Sequence, residues 1–244
     1  ELRPGPICLV CTLTSPKPIR DETRAAVAAR VSFFLSADDE LAPFHAIARG
    51  DRAFAPIARR LRGLHHPKFP TPFEAACWAL LNQRIGPAQA RAMKSAIVAR
   101  WGDAATGAFP EAKTLAAASE AELARAVGNP RKARAVFSAS QAFARVDEKW
   151  LQTAPVAEVE AWLRRIWGVG DFGAAFVLYR GLGHSLPPPR GLPWSPKFVT
   201  AAQRTYGRAS RADLEKTAAG YGPWVGYWSL YLWASGFVTP KGTQ

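Results

Sequence analysis

From Phe172 to Ala212 the chain contains no aspartate and no glutamate. Acidic residues are scarce throughout: 19 Asp and Glu stand against 32 Lys and Arg, a formal charge of +13. Such a surplus argues against an acidic partner and points to a polyanion. An arginine-rich coding bias accounts for Arg over Lys, but not for the surplus over acids. The basic residues run from Arg3 to Lys241, with clusters at Arg59-Arg60-Leu61-Arg62, Arg131-Lys132-Ala133-Arg134 and Arg164-Arg165. That spread describes a broad basic face, not a tail.

Cysteine is equally sparse. Cys8, Cys11 and Cys77 are too few for a four-cysteine iron–sulfur cluster, and Cys8-x2-Cys11 has no second pair to complete a zinc site. They read as ordinary strand residues. The four histidines show no metal spacing. No metal and no cofactor are therefore expected. No run of about 18 apolar residues exists, so no membrane span is expected. The first residues lack a signal-peptide pattern. Reduced thiols fit a cytoplasmic protein.

What is present is helix. At 244 residues and 48% hydrophobic content the chain can bury a sizeable core. The apolar, β-branched run Ile7–Leu13 reads as a strand of a small sheet. Asp21–Leu35 is Ala-rich and amphipathic, with Asp21 as N-cap, and Asp38-Asp39-Glu40 opens a helix over Leu41–Ala48. Ala53–Leu61 follows. Thr71-Pro72-Phe73-Glu74 is a capping-box signature ahead of Phe73–Arg84, and Pro87 opens Ala88–Trp101. Glu111–Ala118, Glu120–Val127 and Arg131–Ala144 are helical, the last two separated by Gly128-Asn129-Pro130. Val156–Ile166 and Phe172–Leu182 flank a glycine turn. Lys197–Thr205, Arg211–Gly220 and Trp224–Ser235 complete the chain. The pattern predicts a mainly α fold with a small N-terminal α+β portion, divided into a strand/helix region over 1–52 and a helical domain over 53–244.

The turn carries the most information. Gly168, Val169 and Gly170 lie between Leu163/Ile166 and Phe176/Val177, and Gly173, Ala174 and Ala175 are small enough for close helix packing. Glycines at that spacing permit positive φ and close backbone approach. The amides opening the next helix suit a phosphate. This is the pattern of a helix-hairpin-helix over 156–182. Gly168, Val169, Gly170 and Gly173 are candidate contacts to a DNA backbone, with Arg131 and Lys132 as further phosphate ligands. Asp171 is an awkward neighbour for a phosphate. Double-stranded DNA is the expected partner, and no heptad seam suggests self-association, so a monomer is expected.

The hairpin, together with Thr71-Pro72-Phe73-Glu74-Ala75 and Ala79-Leu80-Leu81-Asn82-Gln83-Arg84-Ile85-Gly86, resembles the helix-hairpin-helix (HhH-GPD) DNA glycosylases, in particular the 3-methyladenine DNA glycosylase II group. The resemblance covers about Ala53–Phe237. It implies base flipping into a pocket lined by Gln83, Phe172, Phe176, Trp194 and Trp233, where aromatic rings favour a cationic alkylated purine. Lyase-type members place a lysine where Phe172 stands, and no lysine occurs from Phe172 to Pro196, so the implied chemistry is monofunctional hydrolysis. The family also carries an essential aspartate one helix beyond the hairpin. That position falls between Leu192 and Ser195, where no carboxylate occurs; Ser195 is a weak substitute, and His184 a weak candidate for proton transfer. Glu74 and Asp213 are carboxylates to test as stand-ins. Two other readings stand beside an active glycosylase: a catalytically silent protein that binds lesions or DNA structure, and a different enzyme with a pocket built from Trp194, Ser195 and His184.

Overall fold

The computed structural model describes residues 2–4, 9–184 and 196–237. A short antiparallel ribbon, β1 (Leu2–Pro4) against β2 (Leu9–Cys11), pairs Leu2 with Cys11 and Pro4 with Leu9. β2 is the described part of the expected strand; Cys8 lies outside the described residues. Everything else that is regular is helical: α1 (Asp21–Leu35), α2 (Ala42–Gly50), α3 (Ala55–Arg60), α4 (Pro72–Leu81), α5 (Pro87–Trp101), α6 (Ala112–Ala116), α7 (Glu120–Val127), α8 (Pro130–Phe143), α9 (Glu148–Thr153), α10 (Val156–Arg164), α11 (Asp171–Phe176), α12 (Pro196–Tyr206), α13 (Arg211–Gly220) and α14 (Val225–Ser235). The mainly α expectation is met.

Local chemistry sets the ends. Ser119 and Glu122 form a reciprocal capping box at α7, and Gly128 closes that helix at φ 65°. Asn129 caps α8 by accepting from the Lys132 amide at 3.1 Å. At α4 the expected box is only half made: Thr71 Oγ1 accepts from the Glu74 amide, but the Glu74 carboxylate turns to Lys94 Nζ at 2.5 Å. Asp21 occupies the first turn of α1, and Arg20 is the cap residue. The helix expected over Phe172–Leu182 changes character midway: α11 widens after Phe176 into a π-helical turn over Val177–Gly181.

Two cores form. The first gathers α4, α5, α7, α8, α10 and α11 around Phe73, Leu80, Leu81, Ile97, Leu123, Val136 and Leu163. The second gathers α2, α3, α12, α13 and α14 around Phe44, Phe54, Phe198, Leu214, Tyr221, Trp228 and Tyr231. Packing therefore continues across residue 52, because Phe44 of α2 rests on Phe54, Tyr221 and Tyr231. Asp51 gives this second core a polar centre. It accepts from the hydroxyls of Tyr206 at 2.6 Å and Tyr221 at 2.9 Å, while Trp228 Nε1 donates to Tyr206. Each buried donor is satisfied, as a low-dielectric interior requires.

The segment 62–71 passes between the lobes and ties them together. The Lys68 amide donates to Phe34 O and the Phe69 amide to Arg180 O, each at 2.7 Å. Lys68 Nζ reaches Ser36 Oγ and Asp39, and Asp39 also accepts from Tyr227 Oη at 2.6 Å. His66 stands between Tyr179 of the hairpin lobe, 4.8 Å centroid to centroid, and Tyr227 of the other. Burial, reinforced by the Arg180 charge, pulls the His66 imidazole down to about 3. Between pH 3 and 6.5 the unfolded chain therefore binds a proton that the folded chain does not. Stability is expected to fall as pH drops from 6.5 towards 3, by at most about 1.4 kcal/mol per pH unit. Urea midpoints at pH 7 and pH 4.5 check this. A His66→Asn variant should flatten the difference, and an equal slope in that variant would remove His66 as its source.

Candidate nucleic-acid interface and base pocket

The hairpin is formed by α10, a turn, and α11. Gly168 takes φ +88°, and an added Cβ would press within 3.2 Å of Ala135 and Leu80. Its glycine is required both by backbone conformation and by contact with α8 and α4. Gly170 differs: its φ is −95°, and nothing lies within 4 Å of an added Cβ. Only the first of the two glycines uses the left-handed region, therefore; the second leaves open space in front of the α11 amides. Gly173 packs against Val169, whose Cγ1 would be 3.3 Å from an added Cβ. Asp171 ion-pairs with Arg164 at 2.7 Å, and Arg164 also holds Glu160. Arg164 thus offsets the negative charge at the mouth of the turn.

A groove of about 840 Å³ runs alongside, bounded by the hairpin turn on one wall and by Gln83, Arg84 and Arg131 on the other. Gln83 Nε2 donates to Gly168 O at 3.1 Å, fixing the α4–α5 turn to the hairpin. Arg84 holds φ +56°, an unusual conformation for a side chain of its size. Arg131 is exposed. Arg134 stacks on Trp167, 4.5 Å from the ring centroid, at the same edge. Sequence reading missed Arg84 and the Arg134–Trp167 stack. The Arg131–Arg134 cluster held one signal for them, since positions 131 and 134 share a helix face.

Lys132 corrects the sequence reading. Expected on a phosphate, it is buried, and its ammonium donates to the carbonyls of Leu80 at 2.5 Å and Gln83 at 2.7 Å. These are orphan carbonyls at the C-terminal end of α4, where a cation also opposes the negative end of the helix dipole. Burial, with Arg131 and Arg84 nearby, lowers the lysine's pKa. The Lys132 ammonium is thus committed to the turn that carries Gln83.

The candidate pocket aromatics come together only in part. Phe172, at 62% exposure the most open large apolar side chain of the described residues, lies 5.9 Å from the Phe176 ring. Phe69 meets Phe176 edge-on at 5.6 Å, a partner that the linker position of Phe69 gave no reason to expect. Trp233 is 42% exposed near the end of α14 and packs on Phe237, with no ring contact to Phe172 or Phe176. Trp194 and Ser195 lie outside the described residues, as does Leu192. His184 has a buried Nε2 without a partner, and burial lowers its pKa, which keeps the ring neutral. The carboxylates weighed as stand-ins are engaged elsewhere. Glu74 is paired with Lys94, and Asp213 is fixed in a capping box with Ser210. Cys77 is buried, its thiol pushed up by burial, while Cys11 is exposed.

A glycine turn between two packed helices, a basic groove beside it and an exposed aromatic at its exit were the three parts implied by the resemblance. The chain is 25% identical over 236 residues to a DNA-3-methyladenine glycosylase of Bacillus subtilis, spanning 92% of this chain and 77% of that protein. Its fold superposes on the 3-methyladenine DNA glycosylase of Archaeoglobus fulgidus with a TM-score of 0.73, at 20% identity, covering 91% of this chain and 79% of the other. Its fold is that of the helix-hairpin-helix DNA glycosylases. A further structural neighbour is the 8-oxoguanine glycosylase/lyase of Clostridium acetobutylicum, solved with double-stranded DNA containing cytosine opposite 8-oxoguanine. There the TM-score is 0.68 at 14% identity, covering 90% of this chain and 76% of that one. No protein-family model matches the chain. The shared fold accounts for the hairpin lobe and the second helical lobe. It leaves the lesion to be read from this chain's own side chains, since neighbours named for 3-methyladenine and for 8-oxoguanine share the scaffold.

Proposed function

We propose that the protein is a monofunctional DNA glycosylase that binds duplex DNA through its hairpin, flips a damaged purine, with alkylated purines foremost, and hydrolyses its N-glycosidic bond. The observation that carries this reading is Phe172: an exposed ring directly after the hairpin, packed on Phe176, where a lyase would need a nucleophilic amine. A flipped base that has lost its stacking partners regains one on such a ring. The similarity to the B. subtilis glycosylase supports the same reaction class.

The chemistry follows from charge. As the bond breaks, the sugar becomes cationic and the electron pair leaves with the base. A carboxylate normally stabilises the sugar, and loss of one such preorganised group costs roughly 10²–10³ in rate. Residues 172–212 supply none. Activity is therefore expected on bases that leave readily, such as N-alkylated purines, and near silence on uracil. Phosphate contacts by the basic groove give an affinity that falls steeply with salt.

The test is incubation with duplex DNA carrying N-methylated purines, counting abasic sites above the spontaneous rate. Release without strand nicking is expected. A Phe172→Ala variant should lose roughly tenfold, in line with the ~1–3 kcal/mol of one base–aromatic stack. A Leu192→Asp variant, which restores a carboxylate at the expected position, should release faster than the native chain. Tight binding without release by the native chain, with release gained only in that variant, would refute the native activity.

A further inference from the structure

Buried side-chain atoms without a hydrogen-bond partner, among the described residues, all fall on one stretch: Tyr179 Oη, Arg180 Nε and His184 Nε2. The stretch is the π-helical turn that leaves the hairpin, with the residues just beyond it. Arg180 is its charged member. The guanidinium lies 5.6 Å from the Phe69 ring centroid and 5.7 Å from that of Phe176. No ion pair and no side-chain hydrogen bond forms to it among the described residues, and burial lowers its pKa. The sequence offers no carboxylate from residue 172 to residue 212. Asp39, in the connection between α1 and α2, is already shared by Lys68 and Tyr227. Arg180 is half-buried with its Nε enclosed, and an arginine so withdrawn from water is ordinarily paired, because an unpartnered cation there is costly. Here it is held by two aromatic faces, one of which belongs to the candidate base pocket.

We propose that Arg180 is a specificity-determining residue of that pocket, donating to the acceptor atoms of a carbonyl-bearing purine and opposing a base that is itself a cation. This rests on the glycosylase reading above and, within it, moves the preferred base from a cationic alkylated purine to a neutral carbonyl-bearing one. The guanidinium fork matches the paired acceptors that a 6-oxopurine presents at O6 and N7. The Phe176 ring already serves one cation, which weakens its attraction for a second. Two like charges about 7 Å apart at an effective dielectric of about 20 shift an equilibrium by ten- to a hundredfold. The reaction gains from the same contact. When the C1′–N9 bond breaks, its electron pair passes to the purine, and the Arg180 N–H groups meet the charge arriving at the carbonyl. Water then adds to C1′ and its proton goes to solvent. Assistance thus acts on the leaving base, in a chain whose post-hairpin segment has no carboxylate for the sugar.

The experiment compares release of hypoxanthine, a neutral 6-oxopurine, from a deoxyinosine duplex with release of 3-methyladenine, a cation in DNA that lacks the carbonyl, from a methylated duplex. Spontaneous loss is subtracted. Arg180→Met is expected to lower the hypoxanthine-to-3-methyladenine rate ratio by ten- to a hundredfold. Arg180→Lys keeps the charge and the aliphatic packing; it should lose about tenfold on hypoxanthine while still disfavouring 3-methyladenine. A ratio unchanged within about twofold in whichever variant folds overturns the assignment and leaves the glycosylase reading intact. A native protein that releases neither base overturns the glycosylase reading, and this inference with it.

Discussion

A Gly226→Ala substitution is expected to destabilise the protein by about 1–2 kcal/mol, although alanine is the better helix former. Two effects oppose each other at this position. Gly226 lies in the first turn of α14, where alanine gains up to about 1 kcal/mol in propensity. Against that, an added Cβ would fall inside the van der Waals envelope of the Tyr179 hydroxyl and Cζ. Tyr179 has little room to withdraw. Its ring meets His66 edge-on, and its backbone belongs to the π-helical turn. Overpacking of a rigid contact costs about 1–3 kcal/mol and occasionally more, so the clash outweighs the propensity gain. For a chain of this size the net loss corresponds to a drop in Tm of roughly 2–8 °C. The contact joins α14 of one lobe to the hairpin exit of the other, so the substitution should also weaken DNA binding by disturbing the cleft. Thermal unfolding checks the first effect. A Tyr179→Leu change in the Gly226→Ala background should restore much of the loss. A Gly226→Ala protein as stable as the native chain would show that the lobes adjust freely at this point.

Lys132→Met should cost about 2–4 kcal/mol and reduce DNA affinity, although Lys132 itself meets no DNA in this reading. Methionine preserves the length and apolar stem of the side chain. It removes the ammonium that the Leu80 and Gln83 carbonyls accept from. A hydrogen bond to a charged group is worth about 1.5–3 kcal/mol, and a buried carbonyl left without a donor adds its own penalty. Relief of repulsion from Arg131 and Arg84 offsets only part, because both of those side chains are exposed. The turn after α4 would then loosen, and with it the Gln83 hydrogen bond to Gly168 that steadies the hairpin. Urea denaturation measures the stability. Binding of an undamaged duplex by Lys132→Met and by Arg131→Ala separates the roles: the Arg131 variant should weaken binding with little change in stability, and the Lys132 variant should change both. A destabilised Lys132 variant is the decisive result; unchanged stability would mean that water replaces the ammonium at those carbonyls.

How far the sequence could be read depended on how local the determinant was. The α7 and α13 boundaries follow from Ser119/Glu122 and Ser210/Asp213, each a cap within three residues of its partner. The hairpin follows from Gly168 and Gly170 with small residues after them, because turn geometry and helix packing act within a dozen residues. α9 was missed: six residues carry no complete hydrophobic period. β1 was missed because Leu2-Arg3-Pro4 has no strand pattern of its own and is ordered by pairing with β2.

The sequence by itself determined the helical class, the basic surplus, the hairpin, and the absence of a carboxylate over residues 172–212. These are matters of composition, short-range periodicity and backbone freedom, which a chain carries before it folds. Tertiary structure alone decided where the cations point. Nothing within a few residues distinguishes Lys132 from Arg131 and Arg134, yet helix phase turns Lys132 inward onto the end of α4 and leaves the two arginines outside. Nothing local marks Phe69 as the neighbour of Phe176, or Arg180 as a half-buried cation between them. Those relations exist only once two lobes close on the segment between them, since burial and charge proximity are properties of the packed chain.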